Sequence, residues 1–151
     1  MNHTYLSTEL GLVKITGNEA AITHIDFVAN KDFPETETVV LKQAKAQLQE
    51  YFDGSRTEFD LPLSPKGTAF QQKVWEQLQT IPFGKTVSYQ DIAKGIGNPR
   101  GTQAVGGANG KNPIAIVIPC HRVIGKNGTL TGYAGGLDKK AWLLALEQKH
   151  N

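Results

Sequence analysis

The stretch TVSYQDIAKGIGNPRGTQAVGGANGK, Thr86–Lys111, decides how this chain is read. Ser88 stands where it can cap a short helix running through Lys94. Asn98–Gly101, "NPRG", is a turn, and a second short helix is predicted from near Thr102. Two short helices joined by a Gly/Pro turn make a helix-turn-helix candidate, a pairing that many helical domains contain. The second helix is odd in composition. Ala104, Gly106, Gly107, Ala108 and Gly110 leave it poor in both helix propensity and bulk. That suits close packing against a neighbouring helix, or the approach of a helix backbone to a large surface such as a nucleic-acid groove. Composition leaves both readings open.

Working outward, Thr68 can cap a preceding helix that carries Phe70, Val74, Trp75 and Leu78 and ends before Pro82-Phe83-Gly84. Pro and Gly break all periodicity in Leu63–Thr68, which places a domain boundary there. The residues before it read as a small α/β unit. Two β-rich runs, Leu12–Thr16 and Ala20–Val28, flank the turn signal Gly17-Asn18. Thr36–Phe52 is predicted helical, with Val40, Ala44, Leu48 and Tyr51/Phe52 recurring at helical steps. Thr57–Leu63, "TEFDLPL", alternates like a strand returning to that sheet. The expected fold class is therefore α+β. Residues 1–64 form an antiparallel sheet with a helix, and residues 65–151 form a mainly helical domain with the helix-turn-helix.

Composition narrows the function. With 39% hydrophobic and 20% charged residues over 151 positions, the chain is an ordinary globular one, with no apolar run near the ~20 residues of a membrane span. A single cysteine forms no internal disulfide, and histidines at 3, 24, 121 and 150 show no metal-ligand spacing. The N-terminus lacks the order of a signal peptide, so a reducing cytoplasm is the expected location. The net charge of +2 is modest, but the stretch Leu61–Lys111 sets Lys66, Lys73, Lys85, Lys94, Arg100 and Lys111 against only Glu76 and Asp91. Such a patch can bind phosphates.

The one cysteine lies in NPIAIVIPCHRVIG, Asn112–Gly125. The β-branched apolar run before it predicts a buried extended segment feeding Cys120 inward, and Pro119 fixes the approach. Most lone buried cysteines are small hydrophobes. Here His121 is adjacent and Arg122 follows, and titratable groups in an apolar place are expensive unless partnered. A free thiol with a pKa of ~8.5 is mostly protonated at neutral pH, so a nucleophilic cysteine needs a base nearby.

With SYQDIA, NPRGTQAVGGANG, GYAGG and WLLALE in the same order around PCHRV, the chain resembles the methylated-DNA–protein-cysteine methyltransferases, the O6-alkylguanine-DNA alkyltransferase family. The resemblance is strong over roughly residues 66–150, the family's C-terminal catalytic domain. It implies direct, stoichiometric and irreversible transfer of an alkyl group from guanine O6, with thymine O4 a further candidate, to Cys120. It implies that His121 forms the thiolate through a water and that Glu147 orients His121. Asn112 braces the turn, Tyr133 lines the base pocket, and Tyr89 displaces a phosphate and donates a proton toward guanine N3. Backbone N–H groups near Val123 and Ala134 would face O6, with Gly135 in the flexible loop; Ala134 lacks the hydroxyl of a Ser often found there. The second helix would enter the minor groove of double-stranded DNA, with Arg100 among the DNA-binding residues. Ala104, Gly106 and Gly107 would lie against the groove while the target base flips out. Many family members carry Arg where this chain has Gln103, the residue that fills the gap left in the stack. No cofactor and no metal are implied, and the protein is expected to be monomeric, with clustering along DNA the alternative.

Other readings are a non-catalytic alkyl-lesion DNA-binding protein, which Cys120 argues against, a thiol hydrolase, and a DNA-binding regulator with a structural cysteine. A donor-dependent methyltransferase is disfavoured. Gly95–Gly101, "GIGNPRG", has the wrong spacing for a nucleotide loop and follows no strand.

Overall fold

The computed structural model describes all residues from Met1 to Asn151 and divides into two units, Met1–Lys66 and Gly67–Asn151. In the first, β1 (Asn2–Thr8), β2 (Gly11–Gly17) and β3 (Ile22–Val28) form an antiparallel sheet in sequential order. Its register shifts at Thr16/Gly17, where a Cβ on Gly17 would lie 2.5 Å from the Ala21 carbonyl oxygen, so only glycine fits. Helix α1 (Val39–Phe52) begins at Thr38, whose hydroxyl accepts the Leu41 N–H. It buries Leu41, Ala44, Leu48 and Tyr51, and Val13, Ile15, Ile22 and Ile25 of the sheet are buried too.

Thr57–Leu63 does not return to the sheet as a strand. Only Leu63 bridges Ile22, in parallel, with Ile22 N–H donating to Pro62 O and Ser64 N–H to Ile22 O. Pro62 has no N–H to offer a ladder. Earlier in the segment the Gln47 side chain takes the place of a strand partner, accepting the Asp60 N–H and donating to the Asp60 carbonyl. Strand β1, for its part, went unread in the sequence.

The second unit contains α2 (Ala69–Leu78), α3 (Tyr89–Gly95), α4 (Thr102–Gly110) and α5 (Leu137–Lys149). Thr68 and Ser88 both form capping boxes, with Gln71 and Asp91 respectively. Helices α3 and α4 form the helix-turn-helix. Gln90 braces it by donating to the Pro99 carbonyl and accepting from the Thr102 hydroxyl. The Trp75 indole fastens α2 to α4 by donating to the Ala108 carbonyl at 2.9 Å. Two-residue strands β4 (Val87–Ser88) and β5 (Val123–Ile124) pair in parallel. No helix is long and apolar enough to cross a membrane.

Candidate active site

Cys120 sits at the start of a single 3-10 turn, Cys120–Arg122, reached by a path different from the extended one predicted. The segment before it is a run of tight turns. Val117 N–H bonds Ala115 O around Ile116, which is held at φ 73°, and Cys120 N–H bonds Ile118 O around Pro119, at φ −82° and ψ 64°. Pro119 thus occupies an inverse γ-turn, a conformation its ring favours, whereas Ile116 is strained. Burial of Ile114, Ile116 and Ile118 holds the strain in place. Asn112 braces these turns from inside, accepting the Ile114 N–H at 3.0 Å and donating to the Ile118 carbonyl at 2.7 Å.

The three residues of the 3-10 turn are all buried. His121 is fully enclosed, and its Nε2 lies 2.6 Å from Glu147 Oε2. Arg122 reaches the same carboxylate from Nε at 2.8 Å and from a terminal nitrogen at 3.0 Å, and gives its other terminal nitrogen to the Ile81 carbonyl. The Gly84 N–H adds a further donor to Glu147 at 3.2 Å. Burial alone would push the Glu147 carboxyl up, but the His121 and Arg122 hydrogen bonds and charges outweigh it and hold the group at about 2. An ionised carboxylate only accepts, so His121 must carry its proton on Nε2. Nδ1 is then the unprotonated nitrogen, and it has no protein partner. Burial, partly offset by Glu147, lowers the His121 pKa and keeps the ring neutral. The Cys120 thiol is pushed up by burial, with the Asn112 side chain acting the other way. The thiol therefore rests protonated, next in the chain to a neutral imidazole whose Nε2 is anchored on Glu147.

Tyr89 and Thr131 are joined twice, the tyrosine donating to the Thr131 carbonyl and accepting from its hydroxyl, each at 3.1 Å. Tyr133 lies two residues further along that loop, with its hydroxyl buried and unpartnered and its pKa raised by burial. Lys140, fully buried on α5, donates at 2.6 Å to both the Val123 and Thr131 carbonyls. It clamps the loop to β5. Val123 does not offer its N–H to the pocket as expected, because that group donates to the Cys120 carbonyl in closing the 3-10 turn. Ala134 is exposed and Gly135 half-buried in the same loop. Arg100, Gln103, Ala104 and Gly107 are exposed along the turn and α4. Gly106 instead faces Tyr89, where an added Cβ would come within 3.9 Å of the ring.

Arg122 and Lys140 are not among the site residues expected from the sequence, and Glu147 is expected there only through the family resemblance. Lys140, Leu143 and Glu147 form the buried stripe of α5. Helical spacing was the available signal, but two of those three positions carry charge. No group of His, Cys, Asp and Glu is arranged to hold a metal ion.

Two family models cover nearly the whole chain. Residues 1–65 match the ribonuclease-like domain of 6-O-methylguanine DNA methyltransferase, and residues 69–149 match its DNA binding domain. A methylated-DNA–protein-cysteine methyltransferase of Methanosarcina barkeri is 46% identical over 99% of this chain and 99% of its own length. The constitutive enzyme of Bacillus subtilis is 48% identical over 97% and 94%. Among solved structures, Mycobacterium tuberculosis OGT in complex with DNA superposes with a TM-score of 0.92 at 42% identity, covering 99% of this chain and 94% of that one. Matches of this extent at both ends of the chain make it a member of the methylated-DNA–protein-cysteine methyltransferase family.

Proposed function

We propose that this protein repairs alkylated DNA by moving the alkyl group from O6 of guanine to its own Cys120, once per chain. The carrying observation is the buried Cys120 followed by His121, whose Nε2 lies 2.6 Å from the buried Glu147 carboxylate. A water between thiol and Nδ1 would pass the proton to the imidazole, and Glu147 with Arg122 would balance the resulting charge. Sγ then attacks the alkyl carbon in line; the S–C bond forms, the C–O6 bond breaks, and its electron pair stays on the guanine. Tyr89 would donate a proton toward N3, so that the base leaves neutral. The thioether is stable and no group regenerates the thiol, which makes the transfer stoichiometric.

The exposed small-residue stripe of α4 supports entry into the minor groove, with the base flipped toward Tyr133 and Gln103 filling the gap. Residues 65–151 would carry both DNA binding and the acceptor, and residues 1–64 would serve as a scaffold. The molecule would act as a monomer in the cytoplasm. Intact mass after incubation with O6-methylguanine duplex tests the reading. One methyl on Cys120 and none on Cys120→Ala is the expected result. Turnover beyond one methyl per chain, or binding without any adduct, would overturn it. A parallel O4-methylthymine duplex reports whether that base is also a substrate.

A further inference from the structure

Three buried side-chain polar atoms in this protein have no hydrogen-bond partner: Asn109 Oδ1, His121 Nδ1 and Tyr133 Oη. All belong to the surroundings of Cys120. His121 follows it in the chain, and a thiolate at Cys120 would raise the Tyr133 pKa further. Asn109 donates its Nδ2 to the Cys120 carbonyl at 3.4 Å. His121 and Tyr133 already have parts in the proposed reaction. Asn109 does not.

Asn109 lies in the last turn of α4 and is only 1% exposed. Its amide can face the Cys120 carbonyl only through the nitrogen, since an oxygen there would be repelled, so the orphaned atom must be Oδ1. A buried acceptor left unpaired is destabilising, a penalty that a leucine of similar size would avoid. The backbone carries a second link, because the Asn109 carbonyl accepts the Asn112 N–H at 3.4 Å, and Asn112 braces the turns leading to the sulfur. The helix predicted to seat in DNA is thus hydrogen-bonded through one residue to the peptide of the nucleophile.

We propose that Asn109 is a positioning residue for alkyl transfer: Nδ2 sets the Cys120 peptide relative to α4, and Oδ1 accepts a hydrogen from an N–H or O–H donor entering the pocket. That donor is either the 2-amino group of the flipped purine or the water that carries the thiol proton. The inference rests on the function proposed above. The test is single-turnover methyl transfer by Asn109→Leu at saturating O6-methylguanine duplex, alongside thermal unfolding and duplex affinity. We expect the maximal rate to fall at least about tenfold, as small misplacements of reacting groups do. Duplex affinity should stay close to wild type, and the melting temperature should be equal or higher, because an orphaned acceptor has gone. Repeating the assay with O6-methylhypoxanthine duplex, which lacks the 2-amino group, separates the donors. Slowing confined to guanine assigns the donor to the amine, and equal slowing on both bases excludes the amine. A wild-type maximal rate would overturn the proposal, as would lost duplex affinity without a change in rate. So would a lowered melting temperature with an unchanged rate in the folded fraction. If Asn109→Leu fails to fold, Asn109→Ala carries the same expectations for rate and affinity, with a melting temperature lowered by the cavity it leaves. Absence of methyl on wild-type Cys120 would instead sink the functional reading, and this one with it.

Discussion

At the residue scale the site depends on one carboxylate serving two buried partners, the neutral His121 ring and the Arg122 guanidinium. Removing Glu147 leaves the Arg122 guanidinium enclosed and unpaired, so Glu147→Ala should lose about 3–5 kcal/mol of stability in urea titration. The acid limit follows from the same group. Glu147 is held at about 2 against an ordinary 4.5, so it contributes stability that is fully present above 4.5 and is lost as pH falls toward 2. By linkage that contribution is roughly 3 kcal/mol. His121 acts in the same direction: its lowered pKa means the unfolded chain binds a proton first, and stability begins to fall below the ordinary histidine value of 6.5. Urea midpoints from neutral pH down to pH 3 should decline steeply in the wild type and more gently in Glu147→Gln. For the chemistry, His121→Gln should slow methyl transfer about 10²–10⁴-fold while Cys120 remains present and the protein stays folded. Single-turnover rates on O6-methylguanine duplex measure this.

At the scale of an element, packing inside the fold does not account for the glycines in the middle of α4. A Cβ added at Gly106 would meet the Tyr89 ring at 3.9 Å, ordinary van der Waals contact, and one added at Gly107 would meet nothing. Gly107→Ala should therefore raise helix stability by up to about 1 kcal/mol. Gly107→Leu should fold equally well yet bind duplex DNA more weakly, by about tenfold or more if its bulk keeps the backbone out of the groove. Equal affinity in a fluorescence-anisotropy titration would remove α4 from the DNA interface. Gln103 is exposed next to this face, and Gln103→Arg should tighten binding and steepen its salt dependence by about one counterion.

At the scale of the whole molecule, the pocket is assembled from separate stretches of chain joined by buried polar groups. Lys140 is the clearest case, tying α5 to β5 and to the Tyr133 loop through two carbonyls. Lys140→Met keeps the packing but takes the buried donor from the Val123 carbonyl, while the Thr131 carbonyl keeps its Tyr89 donor, a loss of roughly 1–3 kcal/mol. It should also slow transfer, because the loop bearing Tyr133 then loses one of its tethers. Denaturation and single-turnover assays on the same variant would show both effects.

The helices were legible because caps and periodicity are local: Thr68, Ser88 and the steps of α1 and α2 act within a few residues of themselves. Cys120 and His121 were legible for the same reason, being neighbours in a distinctive run. The sequence by itself determined where α2 and α3 start, through the caps Thr68 and Ser88, that the chain is α+β, and that a lone cysteine stands beside a titratable base; α1 starts at Val39, three residues after the Thr36 expected. Only the tertiary structure decided that Thr57–Leu63 is no strand, since the Gln47 side chain competes for its backbone. Tertiary structure also turned the approach to Cys120 into strained turns and gave its base an anchored nitrogen. Lys140 and Glu147 occupy helical positions where pattern alone expects apolar residues. Their burial is affordable only because Val123, Thr131, His121 and Arg122, remote in sequence, supply the hydrogen bonds.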